Sequence, residues 1–195
     1  MQMSMIYPEL HEELLRVHAV LATRENLSSE MISCAAKVEK DFGSACIMAI
    51  ASLGGLHAPI EQTIKLLSDP NAIRTARVLL QDGSKVPGWG SSFVKGKKDP
   101  IFEELNSMLY DCDMKLWCLI TDLTDDLSDF HFSLIRNSKL LIKSNKDIYP
   151  NAACYTAACC ILNEIPPCVA VKTLIQGRID SWSDIYINNY NPRLP

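Results

Sequence analysis

Between residues 105 and 123, apolar side chains return by fours and threes: Leu105, Leu109, Cys112, Leu116, Leu119 and Leu123. That is the period of one helix face, whereas a half-buried strand alternates every second residue. The same period governs most of the chain, strand signals are nearly absent, and no internal repeat is evident. The spacing therefore predicts an all-α fold in which amphipathic helices bury their stripes against one another. At 195 residues, 48% of them hydrophobic, the chain is long enough for one domain, or one domain with a smaller lobe.

In order, the pattern predicts a helix from Pro8 to about Glu25, with Leu10, Leu14, Val17 and Leu21 on one face. Glu9, Glu12 and Glu13 in its first turn favour the helix dipole, and His11 and His18 read as surface or core-edge histidines. A second helix runs from a capping Asn26 to about Lys40. Phe42 to Leu53 is small or apolar throughout and is expected to be buried on most sides. Gly54-Gly55 breaks the chain and Pro59 opens another helix, which puts His57 at or just before an N-terminus, the usual place of a capping residue. A short helix follows Asp69-Pro70-Asn71, and Asp99-Pro100 caps the long periodic segment. Asp122, Asp125, Asp126 and Asp129 read as a solvated face and helix end rather than a calcium loop. A further segment covers Phe130 to about Asn145, a small-residue helix covers Asn151 to Asn163, and a last helix, about Val169 to Ile187, carries Arg178 and Trp182 four apart before a polar tail.

Lysine plus arginine number 19 against 23 acidic residues, a net charge of -4, so no basic field invites nucleic acid. No apolar run reaches the roughly 18 residues of a membrane span, and the N-terminus lacks a signal-peptide pattern, so a cytoplasmic protein is expected. Cys34, Cys46, Cys112, Cys118, Cys154, Cys159, Cys160 and Cys168 include no Cys-x-x-Cys pair; they read as reduced core thiols, with no metal site.

Val86 to Pro100 departs from all of this. Its glycines and prolines exclude a regular element, yet it carries Trp89, Phe93, Lys95, Lys97 and Lys98. The composition suits a binding loop: glycine lets a ligand approach the backbone, aromatic rings offer an apolar wall, and lysines meet phosphate. An exposed glycine-rich linker is the competing reading of the same residues.

Val86-Pro87-Gly88-Trp89-Gly90, a lysine-rich stretch and Asp99-Pro100 resemble the coenzyme A loop of citrate synthases, with Ser91 where the family has histidine and Ile101 where it has arginine. Three further segments match in the same order. Gly54 to His57 is similar to Gly-Pro-Leu-His, Tyr149-Pro150-Asn151 to the Tyr-Pro-Asn segment, and Gly177-Arg178-Ile179-Asp180-Ser181-Trp182 to the Arg-x-x-Gly-Trp segment. Upstream, His18-Ala19 and Asn26-Leu27-Ser28 echo a His-Ala-Asp-His region in which Val20-Leu21 replace the Asp-His. The resemblance spans His18 to Trp182.

The resemblance implies a citrate-synthase-like helical bundle. Residues 58–163 would form the small, coenzyme-A-side domain, and residues 1–57 with 164–195 a reduced large domain whose N-terminal half is mostly missing. It also implies the family's chemistry, in which a carboxylate removes a methyl proton from acetyl-CoA and two histidines stabilise the enol and polarise the ketone. The matching positions are Ala153, His57 and Ser91, so one of the three is retained. Arg178 matches an arginine that binds oxaloacetate. Citrate formation is not expected, since a methyl group accepts no proton and losing a general base costs about 10²- to 10⁴-fold. The expected function is a non-catalytic protein that binds coenzyme A, an acyl-CoA or a nucleotide through Pro87, Gly88, Trp89, Gly90, Lys95, Lys97 and Lys98, or that self-associates as a homodimer. Two alternatives stand beside it: an acyl-CoA enzyme with altered chemistry (thioester hydrolysis or lysis), and a partner of full-length citrate synthase.

Overall fold

The computed structural model describes residues 8–23, 27–38, 40–53, 59–90, 106, 109–137 and 148–190, with backbone alone at 10, 11, 13, 20–23, 135–137, 168 and 171. Among these residues every regular element is helical: α1 (Pro8–Thr23), α2 (Leu27–Lys37), α3 (Phe42–Ala51), α4 (Ile60–Leu67), α5 (Ala72–Gln81), α6 (Met114–Asn137), α7 (Ala152–Leu162) and α8 (Pro167–Asn189). Among the described residues the single β-type pairing is an isolated antiparallel bridge between Trp89 and Pro150. The chain divides into two compact units, one holding residues 59–167 and the other residues 7–58 with 168–195.

In the first unit α4 packs on α7, and α5 on α6. Ile60, Ile64 and Leu67 of α4 and Leu116, Ile120, Leu123 and Leu127 of α6 are buried at three- and four-residue spacing. α7 is different: Ala153 through Cys160 are all buried, which its small residues permit by letting neighbouring backbones approach from several sides. The apolar stripe does not run through residue 113 as one helix. Asp113 interrupts it and caps α6, its carboxylate accepting the Lys115 and Leu116 N–H groups at 2.9 and 3.1 Å. α6 then continues past Phe130 to Asn137, so the acidic residues 122–129 lie inside a helix rather than at its end. Asp126 pairs there with Arg77 of α5, whose guanidinium also lies 5.3 Å from the Phe130 ring centroid.

In the second unit α2 packs on α3 through Ile32, Ala35, Ala45 and Ala49, with Trp182 of α8 in the same cluster. Asp41 caps α3 by accepting the Ser44 N–H at 2.9 Å. The expectation that α3 is buried on most sides is corrected here. Ala45 and Ala49 are buried, but Ile47 is 69% exposed, and Met48 and Ile50 are exposed as well. His18 is a second correction: it is 2% exposed, a core residue rather than an edge one.

Candidate functional site

The loop begins with a tight turn. Val86 is buried, and its carbonyl accepts the Trp89 N–H at 3.1 Å. Gly88 and Gly90 adopt φ of +86° and +80°, the left-handed region that side chains with a Cβ rarely occupy. The two glycines differ in surroundings. A Cβ on Gly88 would meet Thr63 of α4 and Cys154 of α7, whereas a Cβ on Gly90 would meet nothing within 4 Å among the described residues.

This turn is clasped to the Tyr149-Pro150-Asn151 segment, so the structure joins two of the sequence motifs. The Gly90 N–H donates to the Tyr149 carbonyl at 2.8 Å, and the Asn151 N–H to the Gly88 carbonyl at 2.9 Å. The Asn151 side-chain amide donates to the Gly90 carbonyl at 2.6 Å. Both halves of the clasp hang on one face of α6. The Trp89 indole N–H donates to Thr124 Oγ1 at 3.0 Å, and the Ile148 N–H donates to Ser128 Oγ at 3.1 Å. Thr124 and Ser128 are four residues apart and so point the same way from the helix.

Trp89 was expected to offer an apolar wall. It is 5% exposed instead, and its ring packs into the unit as an anchor. Gly90 is exposed, with both its N–H and its carbonyl engaged in the clasp.

Asn151 also caps α7, its Oδ1 accepting the Ala153 N–H at 2.9 Å. Ala153 thus sits in the first turn of α7, nearly buried, with a methyl group where the resemblance placed a carboxylate. The neighbouring Cys154 offers no replacement chemistry. Complete burial pushes its thiol well above the ordinary range, leaving it protonated and poorly nucleophilic. Burial likewise raises Cys159, and pushes Cys160 up to about 12. Cys154, Cys159 and Cys160 are the core thiols expected, but Cys34 and Cys118 are exposed. Among the described residues no group of His, Cys, Asp and Glu could hold a metal ion. No helix of the described residues is long and apolar enough to cross a membrane.

His57, Ser91, Lys95, Lys97 and Lys98 lie outside the described residues. Arg178 belongs to the second unit, where it is 8% exposed and donates through Nη1 to Ser28 Oγ at 3.0 Å. Among the described residues its Nε finds no acceptor. Desolvation lowers its pKa to about 10, which still leaves a full positive charge at neutral pH. Burial, and then the nearby Arg178 charge, hold His18 down at about 3, so it is neutral. Gly177 brings α8 close to α1: a Cβ there would lie 2.6 Å from the Leu15 carbonyl oxygen and 2.7 Å from His18 Cβ. Arg178 is thus a buried cation beside two neutral polar groups, Ser28 and His18.

Thr63, Thr124 and Ser128 carry no motif that marks them in the sequence. The available signal was weak: two hydroxyl residues, four apart, beside the apolar stripe of Ile120, Leu123 and Leu127.

No protein-family model matches the sequence, and no curated protein matches it by sequence. Solved structures do match. Citryl-CoA lyase from Hydrogenobacter thermophilus superposes with a TM-score of 0.65 over 96% of this chain and 73% of that one, at 13% identity. Citrate synthase from Thermotoga maritima gives 0.64 over 90% of this chain and 48% of that one, at 20% identity. Citrate synthase from Thermoplasma acidophilum, solved with carboxymethyl coenzyme A and oxaloacetate, gives 0.68 over 95% and 50%, at 16% identity. The chain therefore has a citrate-synthase-like, all-α fold and spans about half the length of the two citrate synthases.

Proposed function

We propose that this protein holds coenzyme A or an acyl-CoA on a citrate-synthase-like frame without forming citrate. The observation that carries the reading is the clasp between residues 88–90 and 149–151: the loop backbone is built and anchored, while the helix it is anchored to bears Ala153 in place of a proton acceptor. In this reading residues 59–167 are the coenzyme-A-side domain, and the other unit is a reduced large domain whose Arg178 takes a ligand carboxylate. Adenine would lie against the backbone of residues 87–90, and Lys95, Lys97 and Lys98 would meet the phosphates. A cytoplasmic setting belongs to the same reading. Calorimetric titration with coenzyme A and with acetyl-CoA tests the ligand; flat isotherms at millimolar ligand would remove it.

A second reading, carried over from the sequence, is that the protein hydrolyses an acyl-CoA thioester with His57 and Ser91 or Ser92. A thioester-cleavage assay of the wild type against His57→Ala decides it, equal background rates ending it. The outward apolar face of α3, Ile47, Met48 and Ile50, supports self-association as a homodimer or pairing with a full-length citrate synthase.

A further inference from the structure

Asn151 divides its side chain between two tasks. Its Oδ1 accepts the Ala153 N–H at 2.9 Å, and its Nδ2 donates to the Gly90 carbonyl at 2.6 Å. The amide has one orientation here, because the flipped form would set NH₂ against an N–H and oxygen against a carbonyl. Capping α7 needs only the acceptor, and Asp, Ser or Thr would serve equally. The donor half has no use in the cap. Asparagine at this position is explained by its hold on the loop.

We infer that Asn151 is a positioning residue for the acyl-CoA loop, fixing the Gly88–Gly90 backbone in register with residue 153 at the start of α7; this rests on the acyl-CoA reading given above. Three hydrogen bonds define that register: Asn151 N–H to the Gly88 carbonyl, Gly90 N–H to the Tyr149 carbonyl, and Asn151 Nδ2 to the Gly90 carbonyl. The third involves a side chain, so it can be removed without changing the backbone. Gly90 is the last clasped residue before the lysine-bearing stretch, and its carbonyl is the group that the amide holds. Loss of this bond frees the end of the turn, while the cap and the packing of Trp89 remain.

Asn151→Asp is the discriminating variant, since it keeps the cap acceptor and removes the donor; Asn151→Ala removes both. Three quantities are measured on the full chain: melting temperature, hydrogen exchange of the Gly90 amide, and coenzyme A affinity by calorimetry. Expected for Asn151→Asp are a melting temperature near wild type, Gly90 exchange faster by about tenfold, and coenzyme A binding weaker by about five- to tenfold. Asn151→Ala adds a lowered melting temperature. The inference is overturned if Asn151→Asp leaves Gly90 exchange at the wild-type rate, or if it lowers the melting temperature as far as Asn151→Ala does, which would make Asn151 a helix cap alone. Should wild-type protein take up no coenzyme A, the acyl-CoA reading falls by that result, and Gly90 exchange in Asn151→Asp still decides whether the amide holds the turn.

Discussion

Gly88 and Thr63 are placed so that a Cβ on the glycine would lie 2.5 Å from Thr63 Cγ2, at a backbone φ of +86°. This buried glycine is therefore held by α4 as well as by its own turn. Gly88→Ala is expected to cost about 3 kcal/mol, combining left-handed strain with overpacking, and urea denaturation measures it. Adding Thr63→Ser removes the nearest methyl and should recover part of that loss, leaving the share due to φ.

Trp89 and Thr124 give a second coupling. Thr124→Val preserves shape but leaves the buried indole N–H without its acceptor, at a cost of about 1–2 kcal/mol. In the Trp89→Phe background the same substitution should cost much less, because the group that it orphans is gone. Equal costs in both backgrounds would show that the indole is not anchored there.

The helical frame was legible because a period of 3.6 leaves a strong mark on apolar residues, as α4 and α6 illustrate. The break at Asp113 was not. The apolar residues before and after it keep the same spacing, so only the capping carboxylate betrayed the interruption. At the site, glycine and proline announced an irregular loop, but composition does not say which way a ring faces. Trp89 consequently looked like a ligand wall and proved to be an anchor. The clasp joining residues 88–90 to 149–151 spans some sixty positions through backbone groups that every sequence possesses, and only the in-order resemblance of the two motifs hinted that they belong together.

His18 makes stability depend on pH. Its folded pKa, about 3, lies below the ordinary 6.5, so the unfolded chain takes up a proton that the folded chain refuses. The contribution is fully present above pH 6.5 and is lost as pH falls from there toward 3. Between pH 7 and pH 5 this amounts to roughly 2 kcal/mol. His18→Gln should remove that part of the slope, as urea melts across this range would reveal. An unchanged slope would mean that His18 takes up its proton as readily in the folded protein as in the unfolded chain.

On α3, Ile47 is the most exposed of the outward apolar residues. If that face joins two copies, Ile47→Glu should turn a dimer into a folded monomer in light scattering with little change in melting temperature, because the residue contributes little to its own core. A monomeric wild type would leave the face without this role.

In the proposed function the frame persists while two of its three catalytic positions, Ser91 and Ala153, hold replacements. The most direct test of this proposal is thiol release from acetyl-CoA in the presence of oxaloacetate, followed with purified protein. Expected is a rate indistinguishable from the uncatalysed background. Release dependent on oxaloacetate at an ordinary enzymatic pace, about 1 s⁻¹ or faster, would contradict it.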